Sequence, residues 1–204
     1  MSVLHQMHVS GNCYKVRLTA HQLGLPLTLK DYGLHDGSTR TAEFLAKNSN
    51  GRVPLLELDD GRFLAESGAI IWYLAEGSRL LPDDNWGRAE AHQWMFFEQY
   101  SHEPYVAVAR FIKTYGTPEQ RERRKGEFPL LMERGTAALG VMETHLKKQD
   151  WFAGGRYSVA DIALYGYTHS ADEGGFDLSA YPAVSGWLAR VASQPGHIPL
   201  SQKT

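Results

Sequence analysis

The sequence predicts two units, an α/β unit over the first 80 residues and an all-helical unit after it. Three observations carry that prediction. Strand and helix signals alternate up to residue 80. Two apolar runs flank Asp60-Gly61, a hairpin signal. From Leu81 onward strand signals stop, and apolar residues recur at helical spacing.

Val3 to His8 reads as a short strand. Cys13 to Leu23 places Val16, Ala20 and Leu23 at helical spacing; Gly24 suits a left-handed cap, and Pro26 stops the helix. Leu27 to Tyr32 is a second strand. Ser38 to Lys47 is polar and weakly helical, and Asn48, Ser49, Asn50 and Gly51 form a loop. The stretch VPLLELDDGRFLAES then gives two antiparallel strands joined by a type I′ turn at Asp60-Gly61. Ser67 is expected to cap a helix over Gly68 to Glu76, with Ile70, Ile71 and Leu74 on one face and Gly77 at its end. A βαβ unit followed by a hairpin and a helix is a thioredoxin-like arrangement.

The stretch LPDDNWG makes 81–86 a linker, with the helical domain expected over 87–204. Arg88 to Lys113 is a long helical pattern interrupted by Pro104. Pro118 to His145 follows, with Pro129 a boundary, then Ser158 to His169 and Pro182 to Ser193. The stretch SVAD makes Ser158 an N-cap and Asp161 its capping-box partner, with Tyr157 and Ile162 as the staple.

Composition narrows the partners. The chain is 43% hydrophobic with a formal charge of −2, so no global basic field points to nucleic acid. The cluster RERRK, Arg121 to Lys125, reads as a solvated helix face. One cysteine cannot form an internal disulfide, which fits a reducing compartment. The N-terminus lacks a signal peptide's basic and apolar regions, and no apolar run reaches the ~20 residues that span a bilayer. A cytoplasmic protein without membrane or nucleic-acid partners is expected. The nine histidines show no metal-ligand spacing, so no metal is expected either.

Four short stretches stand out. SGNCYKV, Ser10 to Val16, opens the first helix with a hydroxyl, an amide and the chain's one thiol. GRVP, Gly51 to Pro54, precedes the third strand. Glu66-Ser67 sets an acid beside a helix start, where backbone N–H groups attract anions. SVAD begins a late helix. The order of GRVP, hairpin, Glu-Ser and SVAD resembles the cytosolic glutathione transferases over nearly the whole chain.

The resemblance implies a glutathione transferase fold with glutathione as co-substrate. Pro54 would be cis, with the Val53 backbone pairing with the cysteinyl part of glutathione. Glu66 would meet the γ-glutamyl ammonium, and the helix N-terminus with the Ser67 hydroxyl its carboxylate. Arg52, with Arg40 and Thr39 as further candidates, would lie near the glycyl carboxylate. SVAD would serve folding.

The family lowers the pKa of a bound thiol with a donor in the first loop and the dipole of the first helix. HQMHVS at the end of the first strand holds no aromatic residue, and Tyr14 lies too far into the helix, so a serine or cysteine type is implied. Ser10 is the first candidate for the sulfur contact and Asn12, as in nu-like bacterial relatives, the second. Cys13 is the third. Each has a plainer role, Ser10 in a turn or cap, Asn12 as an N-cap and Cys13 as a small packed hydrophobe. Tyr105 and Arg110 on the long helix would face the electrophile. The implied activity is conjugation of glutathione to small hydrophobic electrophiles by a theta-like or nu-like homodimer. Two alternatives stay open on the same fold: glutathione-dependent disulfide or hydroperoxide reduction, and a binding module without catalysis.

Overall fold

The computed structural model describes residues 1–202. The chain forms two units, Met1–Arg79 together with the segment from residue 194 onward, and Leu80–Ser193.

In the first unit, β1 (Val3–Gln6), β2 (Thr28–Asp31), β3 (Leu55–Glu57) and β4 (Phe63–Ala65) form a sheet of order β2-β1-β3-β4. β1 and β2 are parallel, joined by the crossover helix α1 (Gly11–Gln22); β3 runs antiparallel to both β1 and β4. This is the thioredoxin-like arrangement expected. α2 (Ala42–Lys47) precedes β3, and α3 (Ser67–Ala75) packs against α1. Leu4, Val16, Leu18, Leu55, Leu56, Ile70 and Ile71 are fully buried between them.

The hairpin differs from a type I′ turn. Gly61 has φ 84, but Asp60 is not in the left-handed region. Gly61 N–H donates to Leu58 O at 2.9 Å, and Leu58 N–H to Arg62 O at 2.8 Å. That is a three-residue loop with one glycine in αL, the next commonest hairpin solution. One left-handed residue suffices, so Asp60 avoids the steric cost of positive φ.

The second unit is helical: α4 (Asn85–Phe97), α5 (Glu103–Arg110), α6 (Pro118–Arg124), α7 (Phe128–Leu146), α8 (Val159–Thr168) and α9 (Pro182–Ala192). The long pattern around Pro104 is not one α-helix. π turns cover 98–102 and 111–115, and Pro104 stands in the first turn of α5, where its missing N–H costs nothing. Among the described residues no helix is long and apolar enough to cross a membrane.

Both edges of the expected division shift. Leu80, Leu81 and Pro82 are buried and belong to the helical unit. Leu80 O accepts from Val159 N–H at 2.9 Å, and Asp84 caps α4. At the other end, residues 194–202 belong to the first unit, and three of their carbonyls bond α1. Tyr14 OH donates to Ile198 O at 2.6 Å, His21 Nδ1 to Gly196 O at 2.9 Å, and Arg17 to Leu200 O at 3.0 Å.

Candidate functional site

Two helix N-termini define the site in the first unit. α3 begins after Glu66, whose backbone sits at φ 69, ψ 118. Glu66 is the one non-glycine residue with positive φ among those described, a conformation that costs of order 1–3 kcal/mol and collects at functional sites. Its carbonyl accepts the first helical bond, from Ile70 N–H at 2.9 Å. Ser67, Gly68 and Ala69 N–H therefore have no acceptor within the helix. The Glu66 carboxylate is exposed, with no hydrogen-bond or ion-pair partner among the described residues. An acid and a helix N-terminus side by side suit a zwitterion.

Ser67 does not occupy the cap position expected of it. It lies inside the first turn, buried to 5% exposure, and its hydroxyl donates to Asn12 Oδ1 at 3.1 Å. That proton is directed inward, and the α3 N–H groups are the donors left at this end.

α1 begins at the second N-terminus, and Ser10, not Asn12, is its N-cap. Ser10 Oγ accepts from Cys13 N–H at 3.3 Å. Accepting uses a lone pair and not the hydroxyl proton. Asn12 lies in the first turn. Its Oδ1 accepts from Lys15 Nζ at 2.7 Å as well as from Ser67. An ammonium only donates, so these contacts fix which edge of the amide is oxygen.

Cys13, the third candidate for the sulfur contact, lies in its plainer place as a packed thiol. It is fully buried, and burial pushes its thiol up to about 11 against the opposing hydrogen bonds from Met7 N–H and Ser10. Met7 N–H lies 3.4 Å from Cys13 Sγ. A thiol held neutral under the loop is a small hydrophobe there.

The remaining expected residues form a third group. The Val53–Pro54 bond is cis. Arg52 is exposed, and its carbonyl accepts from Asn48 Nδ2 at 2.8 Å. Arg40 lies across Gly51, donating to Asn50 O at 2.9 Å; Gly51 has φ 63, and a side chain there would collide with the Arg40 guanidinium. Arg40 and Arg52 therefore flank the same turn.

In the helical unit, Tyr105 is half-buried on α5. Arg110 is 3% exposed, donating to Glu173 Oε2 at 2.7 Å and to Tyr115 OH at 3.0 Å. The Glu173 bond ties α5 to the 171–174 turn. A separate cavity of about 810 Å³, lined by Trp94, His145, Trp151 and Phe152 among others, includes none of the expected residues.

Sequence reasoning passed over two side chains that shape the site. Lys15 is described above. Arg17 is buried, donating to Gln6 Oε1, to His8 O at 3.2 Å and to Leu200 O. It holds the loop before Ser10 against β1.

Comparison with known proteins agrees with this architecture. The glutathione S-transferase N-terminal domain model matches residues 4–79, and the C-terminal domain model matches residues 94–195. The chain belongs to the glutathione S-transferase family. A solved structure of a glutathione S-transferase from Pseudomonas fluorescens is similar at TM-score 0.95 and 50% identity, covering 98% of this chain and 99% of that one. Glutathione S-transferase GstB of Escherichia coli is 30% identical over 91% of this chain and 90% of its own length. The disulfide-bond oxidoreductase YfcG of Escherichia coli is 28% identical over 90% of this chain and 87% of its own.

Proposed function

We propose that the protein is a glutathione transferase that joins glutathione to small hydrophobic electrophiles. The observation that carries this reading is the strained Glu66 beside the α3 N-terminus, linked through Ser67 to Asn12 at the start of α1. Bound glutathione supplies a thiol nucleophile. Glu66 receives the γ-glutamyl ammonium, and the α3 N–H groups receive the neighbouring carboxylate. The Val53 backbone aligns the cysteinyl amide, and Arg52 with Arg40 holds the glycyl carboxylate.

Ser10 and Asn12 serve as sulfur-side donors, aided by the α1 dipole. A donor that binds thiolate better than thiol lowers the thiol pKa and raises the reactive fraction at neutral pH. Tyr105 is the contribution of α5 to the electrophile side, while Arg110 keeps a structural role. Turnover of a chloronitrobenzene acceptor by purified protein tests the reading. Absence of glutathione binding by calorimetry would overturn it.

Similarity to a disulfide-bond oxidoreductase favours a second reading, glutathione-dependent disulfide reduction at the same site. There two glutathione thiols are oxidised to a disulfide while the substrate disulfide takes up two electrons and two protons. Turnover of 2-hydroxyethyl disulfide exceeding that of the aromatic acceptor would select it.

We also propose a cytoplasmic homodimer. Phe96 is 69% and Tyr100 84% exposed around the end of α4, and Phe63 and Tyr73 are exposed at 39% and 47% in the first unit. Aromatic side chains left this open are typical of association surfaces.

A further inference from the structure

We propose that Arg17 makes residues 194–202 part of the support of the glutathione site: its buried guanidinium joins that segment to the loop that opens α1, so that glutathione binding and order in the segment favour each other. This rests on the reading above, in which the start of α1 lies at the sulfur end of bound glutathione. Arg17 acts in it as a positioning residue.

Arg17 is 2% exposed on α1. Among the described residues no carboxylate stands within ion-pair distance of it. Asp31 lies one step further on: Gln6 Oε1 accepts from Arg17 Nη1, and Gln6 Nε2 donates to Asp31 Oδ1 at 2.9 Å. A buried charge met only by neutral oxygens is costly, and an apolar side chain of similar length fills such a place without that cost. Packing alone therefore does not account for an arginine here. What its planar fork reaches does.

One nitrogen, Nη2, donates to two carbonyls, His8 O at 3.2 Å and Leu200 O at 3.0 Å. Carbonyl oxygens that converge on one point repel each other unless a donor stands between them. Nε has no partner, so the two terminal nitrogens carry the attachment. The loop they hold is short and internally bonded. Ser10 N–H donates to Met7 O at 3.0 Å, and Met7 N–H lies 3.4 Å from Cys13 Sγ. Fixing the His8 carbonyl therefore sets how the chain enters α1. A ligand that binds only the ordered loop stabilises whatever is ordered with it, and linkage makes the factor the same in both directions.

The test is amide hydrogen exchange in the intact protein, with and without saturating glutathione. Met7 and Ser10 report on the loop, and His197 and Gln202 on the segment, since each of these N–H groups is bonded. In wild type, glutathione is expected to slow exchange at all four about fivefold or more. In Arg17→Met without ligand, exchange is expected to rise at all four. Glutathione then slows Met7 and Ser10 alone, and its Kd by calorimetry weakens by about the same factor.

Slowing of the loop without the segment in wild type overturns the proposal and leaves the site reading intact. Equal slowing of the segment in wild type and Arg17→Met overturns it too, because other contacts then carry the coupling. Bound glutathione that slows neither, or no binding at all, shows that the sulfur-side reading of α1 fails, and the proposal falls with it. If Arg17→Met does not fold, Arg17→Lys decides. It keeps the charge and loses the second terminal nitrogen, so weaker slowing of the segment supports the proposal. Slowing of wild-type size overturns the role of the guanidinium.

Discussion

Glu66 joins backbone strain and an exposed carboxylate in one residue, and the two are separable. Glycine adopts φ 69 without the Cβ penalty, so Glu66→Gly is expected to stabilise the fold by about 1 kcal/mol while weakening glutathione binding. Chemical denaturation and calorimetry on the same variant check both halves. Loss of stability would mean that the side chain supports the fold. Ser10→Ala is expected to lower kcat at neutral pH more than it raises KM, with a loss of stability of the size of a lost cap, about 1 kcal/mol. A pure KM effect would place Ser10 outside the reacting centre.

Much of the candidate site was legible at this scale because the proposed glutathione chemistry demands particular residue types. A Glu-Ser pair at a helix start and a Val-Pro pair at a strand start can be seen in a single sequence. Lys15 was not legible. A lysine reads as solvated by default. Its burial is a property of the packed α1, which no local sequence pattern marks. The Ser67 hydroxyl was misplaced for the same reason: a serine beside a helix start reads as its cap, and only the packing of α3 on α1 turns it inward.

Elements come next. The SVAD capping box forms as the sequence implies, with Ser158 N–H donating to Asp161 Oδ2 at 2.9 Å. The structure adds Trp187, whose indole N–H reaches Asp161 Oδ1 at 2.9 Å, so one carboxyl fastens α9 to the start of α8. Burial pushes Asp161 up to about 7, although the hydrogen bonds from Trp187, Ser158 and Phe152 pull the other way.

A raised acid pKa means that the folded state keeps the proton longer than the unfolded chain does. This contribution to stability is complete below the unfolded value near 4 and is lost as pH rises toward 7. Asp161→Asn is expected to flatten that stretch of the stability–pH curve, measured by denaturant melts from pH 4 to 8. An unchanged slope would mean that Asp161 stays ionised throughout. Caps and proline boundaries were legible because they act within one turn. The π turns were not, since helical spacing alone does not distinguish i+4 from i+5 pairing over a few residues.

At the scale of the molecule, the α/β-then-helical order was readable from strand and helix periodicity. The return of the chain to the first unit was not. Gly196, Ile198 and Leu200 join α1 through their carbonyls, groups that every residue carries and no sequence pattern marks. Tyr14→Phe removes the donor to Ile198 and is expected to cost about 1 kcal/mol, with faster amide exchange in both α1 and the segment from 194 onward. Exchange rising in α1 alone would show that the segment is held by other contacts. The proposed homodimer is tested by sedimentation: charge at the exposed aromatics, as in Phe96→Glu with Tyr100→Glu, is expected to yield monomers. A monomeric wild type would contradict it.

The central claim is that the two helix N-termini bind glutathione and ionise its thiol. Absorbance titration of the thiolate in protein saturated with glutathione tests it most directly. The account predicts ionisation at least about one unit below the ordinary thiol value near 8.5. A bound thiol that ionises like the free one, or no bound glutathione at all, would contradict it.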